Sequence, residues 1–369
     1  MAVISPAKTA VLLLALCLSN LSWAQNPELG LERYQKGDYA GALKEWQALA
    51  EQGNATAQAR LGFLYGHGKG VKQDYAKAFE WYGKAAQQGN ANAQNALGHL
   101  YGNGKGVKQD YAKAFEWLSK AAQQGNAYAQ AGLGYLYRNG KGVKQDYAKA
   151  FEWLSKAAQQ GNAYAQAGLG YLYRNGKGVK QDYAKAFEWL SKAAQQGNAG
   201  AQNALGDLYR NGQGVKQDYA KAFEWYGKAA QQGEAYAQAI LGDLYRDGQG
   251  VKQDYAKAFE WYGKAAQQGN ANAQYYMGRA LRCGFGTQQD YVQAARWLEA
   301  SVESGKKEQR LGGLNRRSRA LYELGMLYKE GGLGVPKDQA KADELMKKVR
   351  SGPVNPLALD METSCGFRY

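Results

Sequence analysis

The stretch YLYRNGKGVKQDYAKAFEW occupies residues 135–153 and returns letter for letter at 171–189. The identity is wider: the block Asn126–Gly161 is followed by Asn162–Gly197, with the same residue at every step. A catalytic centre is assembled once, from residues that differ in role, so a block written twice argues for an extended surface. Trp46, Trp81, Trp117, Trp153, Trp189, Trp225, Trp261 and Trp297 mark the period, 35 residues at the first step and 36 at each later one. Periods of roughly 20–50 residues mark arrays in which each unit buries its apolar face against its neighbours. Length alone would divide these 369 residues into two or three domains. The period instead makes the repeat-bearing region one array.

Each block reads as two helices. Ala129, Leu133, Leu136 and Tyr137 form one helical stripe, and Tyr147, Ala150, Phe151, Leu154 and Ala158 form a second. Between them Gly140 and Gly142 give the backbone freedom for a reversal. Asp146 is placed to cap the second helix, Gly161 to close it, and Asn162 to cap the next block. Gly134 and Ala150 allow close helix approach, with Phe151 and Trp153 expected to supply bulk between the helices. Glu152 and Lys156 stand in the favourable order for an i,i+4 pair on a solvated face.

The pattern AxAQxxLGxLYxxGxGVxxDxxKAxxWxxKAAxxG resembles the Sel-one-like repeat, a relative of the tetratricopeptide repeat. The resemblance implies an all-α fold, a right-handed α-solenoid of antiparallel helix pairs whose first helices line the concave side. Residues 54–305 carry seven 36-residue repeats. Residues 25–53 look like a shorter, tetratricopeptide-like capping unit, and 317–352 like a degenerate last repeat in which Leu345 replaces the Trp. A basic insertion, 306–316, separates that last repeat from the array, and 353–369 form a tail.

The first 24 residues have the form of a secretory signal peptide: Lys8, an apolar run from Ala10 to Leu18, and Ser22-Trp23-Ala24 before the expected cleavage. The run is too short for a membrane span, and Leu16 before Cys17 argues against a lipoprotein. A periplasmic or secreted protein is expected. Removal of the leader leaves Cys283 and Cys365, a candidate disulfide in an oxidising compartment, with two separate thiols as the alternative. No Cys/His cluster offers a zinc site, so neither a metal nor another cofactor is expected.

The repeats can be compared with one another. The second helix (helix B) hardly varies, while the first (helix A) varies at positions that share one face. That face holds Tyr128, Tyr135, Arg138, Tyr164, Tyr171 and Arg174, then Asp207, Arg210, Tyr236, Asp243 and Arg246, with Arg279 and Arg282 continuing the same positions. Tyr and Arg give large contact areas with polar tips, as recognition surfaces favour. Drift of solvent-exposed positions after duplication is the competing explanation.

Two functional classes follow. One is an exported, non-catalytic scaffold that binds a protein or peptide, expected to be acidic, in the groove of the helix-A face. The resemblance implies roles in signalling, envelope assembly or host interaction. The other is an electrostatic binder of anionic envelope polymer through its basic face, since the chain carries net charge +15 and the block 126–161 alone carries +3. Nucleic acid is not expected as a partner of an exported chain. An enzyme has little support. His67 and His99 lack a neighbouring nucleophile in the sequence, and Ser304–Lys307 matches a Ser-x-x-Lys spacing without its SDN and KTG partners. Some bacterial members of the family carry a penicillin-hydrolase label, which is a family association only.

Overall fold

The computed structural model describes residues 27–307, 311–350 and Cys365. The expected leader and its cleavage point lie outside these residues, as does the tail apart from Cys365. Among the described residues there are eighteen helices, no strand, and one isolated bridge between Gly332 and Val335. The chain divides into two compact units, residues 1–181 and 182–369.

The first unit opens with a helical hairpin, α1 (Pro27–Gln35) and α2 (Tyr39–Glu51). Four helices of type A follow: α3 (Ala55–His67), α5 (Ala91–Asn103), α7 (Ala127–Asn139) and α9 (Ala163–Asn175). They alternate with the B helices α4 (Tyr75–Gln87), α6 (Tyr111–Gln123) and α8 (Tyr147–Gln159). In the repeats these boundaries have local causes. Asn126 accepts from the Ala129 amide to start α7, and Gly140 ends it in the left-handed conformation at φ 65°. Asp146 accepts from the Lys149 amide to start α8.

Packing within a repeat depends on the absence of a side chain at Gly134. A Cβ there would come within 2.5 Å of Leu154 Cγ. Leu154, Ala157 and Ala158 are buried on α8. Across the repeat boundary, Leu118 and Ala122 of α6 pack against Ala129, Leu133 and Leu136 of α7. The tryptophan differs from expectation: Trp153 is only half-buried at the edge of this cluster, while the neighbouring Leu154 fills the interior. Its outer ring face instead holds a cation, with Lys156 Nζ 4.4 Å from the ring centroid. Such stacking is compatible with an i,i+4 ion pair. The equivalent Lys192 does both, lying 4.4 Å from the Trp189 ring and 2.7 Å from Glu188.

Successive repeats dock through one loop. The second loop glycine would set a Cβ 2.1 Å from the Tyr75 carbonyl oxygen at Gly106, 2.1 Å from that of Tyr111 at Gly142 and 2.2 Å from that of Tyr147 at Gly178. Each tyrosine is the first residue of the preceding helix B. Inside, a buried glutamine stitches the same boundary. Gln130 Nε2 donates to the Ala122 carbonyl at 3.3 Å, and its Oε1 accepts from Gln160 at 2.8 Å. Buried backbone carbonyls are thereby satisfied.

The second unit repeats this plan. Its A helices are α11 (Ala199–Asn211), α13 (Ala235–Asp247) and α15 (Ala271–Cys283); its B helices are α10 (Tyr183–Gln195), α12 (Tyr219–Gln231) and α14 (Tyr255–Gln267). It ends in α16 (Tyr291–Lys307), α17 (Leu311–Glu330) and α18 (Gln339–Arg350). The basic stretch 306–316 is therefore helical on both sides of residues 308–310, which lie outside the described residues. Leu298, Leu324, Leu345 and Val349 form the terminal core. Cys283, the last residue of α15, is disulfide-bonded to Cys365, with Cα atoms 5.3 Å apart.

Candidate partner-binding face

The residues singled out on the helix-A face fall into two groups, one in each unit, and the two differ in kind. In the first unit, Tyr128, Tyr135 and Tyr164 are exposed by 66%, 44% and 76%. They line one groove of about 480 Å³, floored by Ala131 and Gly132 and edged by His99, Asn103 and Lys141. A second, more polar groove of about 780 Å³ adjoins it on the α3–α5 side, lined by Phe63, Asn92, Asn95, His99 and Lys105 among others. His99 and Asn103 belong to both linings, so the grooves are contiguous. His99 is exposed at the groove surface, yet the surrounding walls withhold water from its ring and lower its pKa.

Tyr171, Arg138 and Arg174 are half-buried and lie outside both linings. Arg138 stacks over the Tyr135 ring at 5.6 Å. Lys141 was not singled out in the sequence, yet it occupies the groove edge. Its Nζ donates to Tyr111 Oη and to Tyr135 Oη, both at 3.2 Å, which raises its pKa.

In the second unit the corresponding residues bind one another. Tyr226 is fully buried and donates to Asp207 Oδ1 at 2.7 Å, and Tyr236 donates to the same oxygen at 3.1 Å. Burial opposes the charge of Arg210, but Tyr226 and Tyr236, together with Asp207 and Asp243, outweigh it and raise its pKa. Tyr262 donates to Asp243 at 2.7 Å, while Arg246 pairs with Asp243 at 3.2 Å and with Asp247 at 2.7 Å, and stacks on Tyr276. Burial raises the Asp243 pKa against the pull of Arg246. Arg279 and Arg282, expected on the same surface, are buried against Glu323 of α17, and Arg282 also reaches Glu330 at 3.0 Å. Burial raises the Glu323 pKa despite both arginines.

A signal for these networks exists in the supposedly constant helix B. Where it reads Leu-Ser, at 118–119 and 154–155 of the first unit, the helix-A position of the same repeat holds His99 or Tyr135 and no acidic residue. Where it reads Tyr-Gly in the second unit, at 226–227 and 262–263, that position holds Asp207 or Asp243, whereas Tyr82-Gly83 of the first unit stands opposite Phe63. With Asp207 or Asp243 in place, the tyrosine hydroxyl finds its acceptor within the repeat.

Among the described residues no group of three or more His, Cys, Asp or Glu side chains could hold a metal ion, and no helix is long and apolar enough to cross a membrane. Ser304 and Lys307 lie one turn apart near the end of α16.

The Sel1 repeat family model matches residues 55–90, 91–126, 127–162, 163–198, 199–234, 235–270, 271–306 and 318–348. Among solved structures, the chain is similar to c5321, a protective antigen of uropathogenic Escherichia coli strains displaying an SLR fold. The identity is 38% and the TM-score 0.72, over 84% of this chain and 64% of the antigen. It thus spans less than two thirds of that protein. A Sel1 repeat protein from Oxalobacter formigenes is also 38% identical, with TM-score 0.61, over 66% of this chain and 100% of the other. Comparison with curated proteins returned no match.

The helix-A/helix-B coupling predicts the outcome of a swap. Asp207→Tyr alone leaves the Tyr226 hydroxyl buried without its acceptor and should cost about 1–3 kcal/mol in urea unfolding. Adding Tyr226→Leu, which restores the pairing found at 135 and 154, should recover much of that loss. Additive losses would contradict the coupling.

Proposed function

Because the chain belongs to the Sel1 repeat family, a class of generally non-catalytic repeat scaffolds for protein interactions, we propose that it is an exported scaffold that binds a protein or peptide partner in the helix-A groove of the first unit. The observation that carries this reading is the exposure of Tyr128, Tyr135 and Tyr164 in one groove whose floor is made of small residues. Aromatic plates around an open trough offer large contact area with little side-chain entropy to lose. The equivalent face of the second unit has its Asp, Arg and Tyr groups engaged with one another, and serves to hold the fold.

Charge favours an acidic partner. The repeats 54–89, 90–125 and 126–161 carry +3, +2 and +3, whereas 198–233 and 234–269 carry +1 and −1. A concentrated positive field steers an anionic segment towards the first unit. Export rests on the leader-like first 24 residues and is supported by the Cys283–Cys365 disulfide, a bond kept in oxidising compartments. The envelope-polymer alternative draws on the exposed loop lysines Lys72, Lys108, Lys144 and Lys180, which repeat at one position of each loop.

Replacing Tyr128 and Tyr164 with Ala should weaken partner binding more than about tenfold, or about 1.4 kcal/mol, with the thermal transition retained. Replacing Lys149 and Lys185 with Ala should change mainly the salt dependence of association. If only the lysine pair matters, the basic face is the working one and the anionic-polymer reading replaces this one. Mass spectrometry of protein recovered from cell fractions should show an N-terminus near Gln25; an intact Met1 in the cytoplasm would refute export.

A further inference from the structure

The loop lysines of the first unit form two classes. Lys72 and Lys108 project into solvent from the loops. Lys105 and Lys141, three residues earlier in the motif, fold back onto the first tyrosine of the preceding helix B. Lys105 Nζ lies 3.3 Å from Tyr75 Oη and 4.9 Å from that ring. Lys141 Nζ lies 3.2 Å from both Tyr111 Oη and Tyr135 Oη. Lys69 on Tyr39 and Lys177 on Tyr147 fold back likewise but lie outside both linings, whereas Lys105 lines the polar groove and Lys141 the tyrosine-lined one.

An ammonium held by hydroxyl oxygens keeps its full charge, because those acceptors are neutral. Neither Lys105 nor Lys141 forms an ion pair among the described residues, so the charge is not cancelled from within. The tyrosines fix the otherwise flexible lysine stem, which lowers the ordering cost of engaging a ligand. The second unit supplies an internal contrast. Its loops carry Gln213 and Gln249 at the same motif position, and Gln213 Nε2 reaches Tyr183 Oη at 3.4 Å. The loop thus docks without the charge, which means that the lysine is not required for docking.

We infer that Lys105 and Lys141 are two carboxylate-binding positions, one repeat apart, for an extended acidic peptide whose aromatic or apolar side chains lie against Tyr128 and Tyr164. This rests on the groove reading given above and adds the chemistry of the recognised segment. Each lysine would donate to a Glu or Asp side chain while still held by its tyrosine hydroxyl. A carboxylate would also face neutral Asn103 and a His99 whose pKa is lowered, so selectivity for the anion comes from the lysines.

The probe is a short fluorescein-labelled peptide of Glu-Gly-Tyr triplets, compared with its Gln-Gly-Tyr counterpart by fluorescence anisotropy on the full-length protein. The Glu peptide should bind at least about tenfold more tightly. Lys105→Gln with Lys141→Gln should remove that advantage and leave the Gln peptide unaffected. These variants reproduce the glutamines native to the second unit, and circular dichroism checks that they fold. Lys72→Gln with Lys108→Gln, the same change in net charge, should alter affinity less than about twofold at physiological salt. Equal effects of the two lysine pairs would overturn the proposal in favour of a diffuse field. Glu and Gln peptides that bind alike, and are both weakened by Tyr128→Ala and Tyr164→Ala, would overturn the carboxylate sites and leave the groove reading standing. Tight binding of polygalacturonate with none of either peptide would make the ligand an acidic saccharide and overturn both, as would no binding of any probe.

Discussion

One contact fixes how each repeat meets the next. The second loop glycine lies against the carbonyl of the tyrosine that begins the preceding helix B, as Gly142 does on Tyr111. There is no space for a Cβ, and the backbone there has φ 69°. Both requirements select glycine. Because the docked atom is a backbone oxygen, the neighbouring repeat cannot yield by turning a side chain. The buried Gln130 ties the far side of the same boundary to Ala122. With both ends of the contact fixed, Leu118 and Leu133 are brought into one cluster.

The same docking creates the chemistry of the surface. As the loop settles on Tyr111, the residue before its second glycine comes to rest on the tyrosine hydroxyl. In the first unit that residue is Lys141, at the rim of an aromatic groove. In the second it is Gln213 on Tyr183. The scaffold is thus constant while single positions decide whether a face is open or engaged. A Leu at 154 leaves Tyr135 exposed, whereas a Tyr at 226 binds Asp207 from the inside. Two units of one repeat carry surfaces of different kinds.

Much of the fold was legible because its causes are local. The period, the Asn and Asp caps, and the Gly140 and Gly161 terminations each depend on residues a few positions apart. The Gly134 approach was equally readable from its facing Ala150. What the sequence concealed are the contacts each side chain makes once the helices pack. Trp153 marks the period so strongly that it reads as core, yet it sits at a rim where Lys156 covers it, and Leu154 is the buried residue. The Tyr and Arg of the helix-A face look alike in a string of letters. Only their partners distinguish Tyr128, which meets solvent, from Arg246, which meets Asp243 and Asp247 on its own helix and Tyr262 on the next. In the second unit the Tyr/Asp pairs 226/207 and 262/243 carried part of that information, and a comparison of whole repeats rather than single helices retrieves it.

The most direct test separates docking from backbone conformation. Gly161 and Gly142 both have positive φ, 87° and 69°, but a Cβ on Gly161 meets nothing within 4 Å. Gly161→Ala should therefore cost only the left-handed conformation, about 1–2 kcal/mol in urea unfolding. Gly142→Ala adds a collision with the Tyr111 carbonyl and should cost about 1–3 kcal/mol more. Equal losses at the two positions would mean that the loop contact does not set how the repeats join.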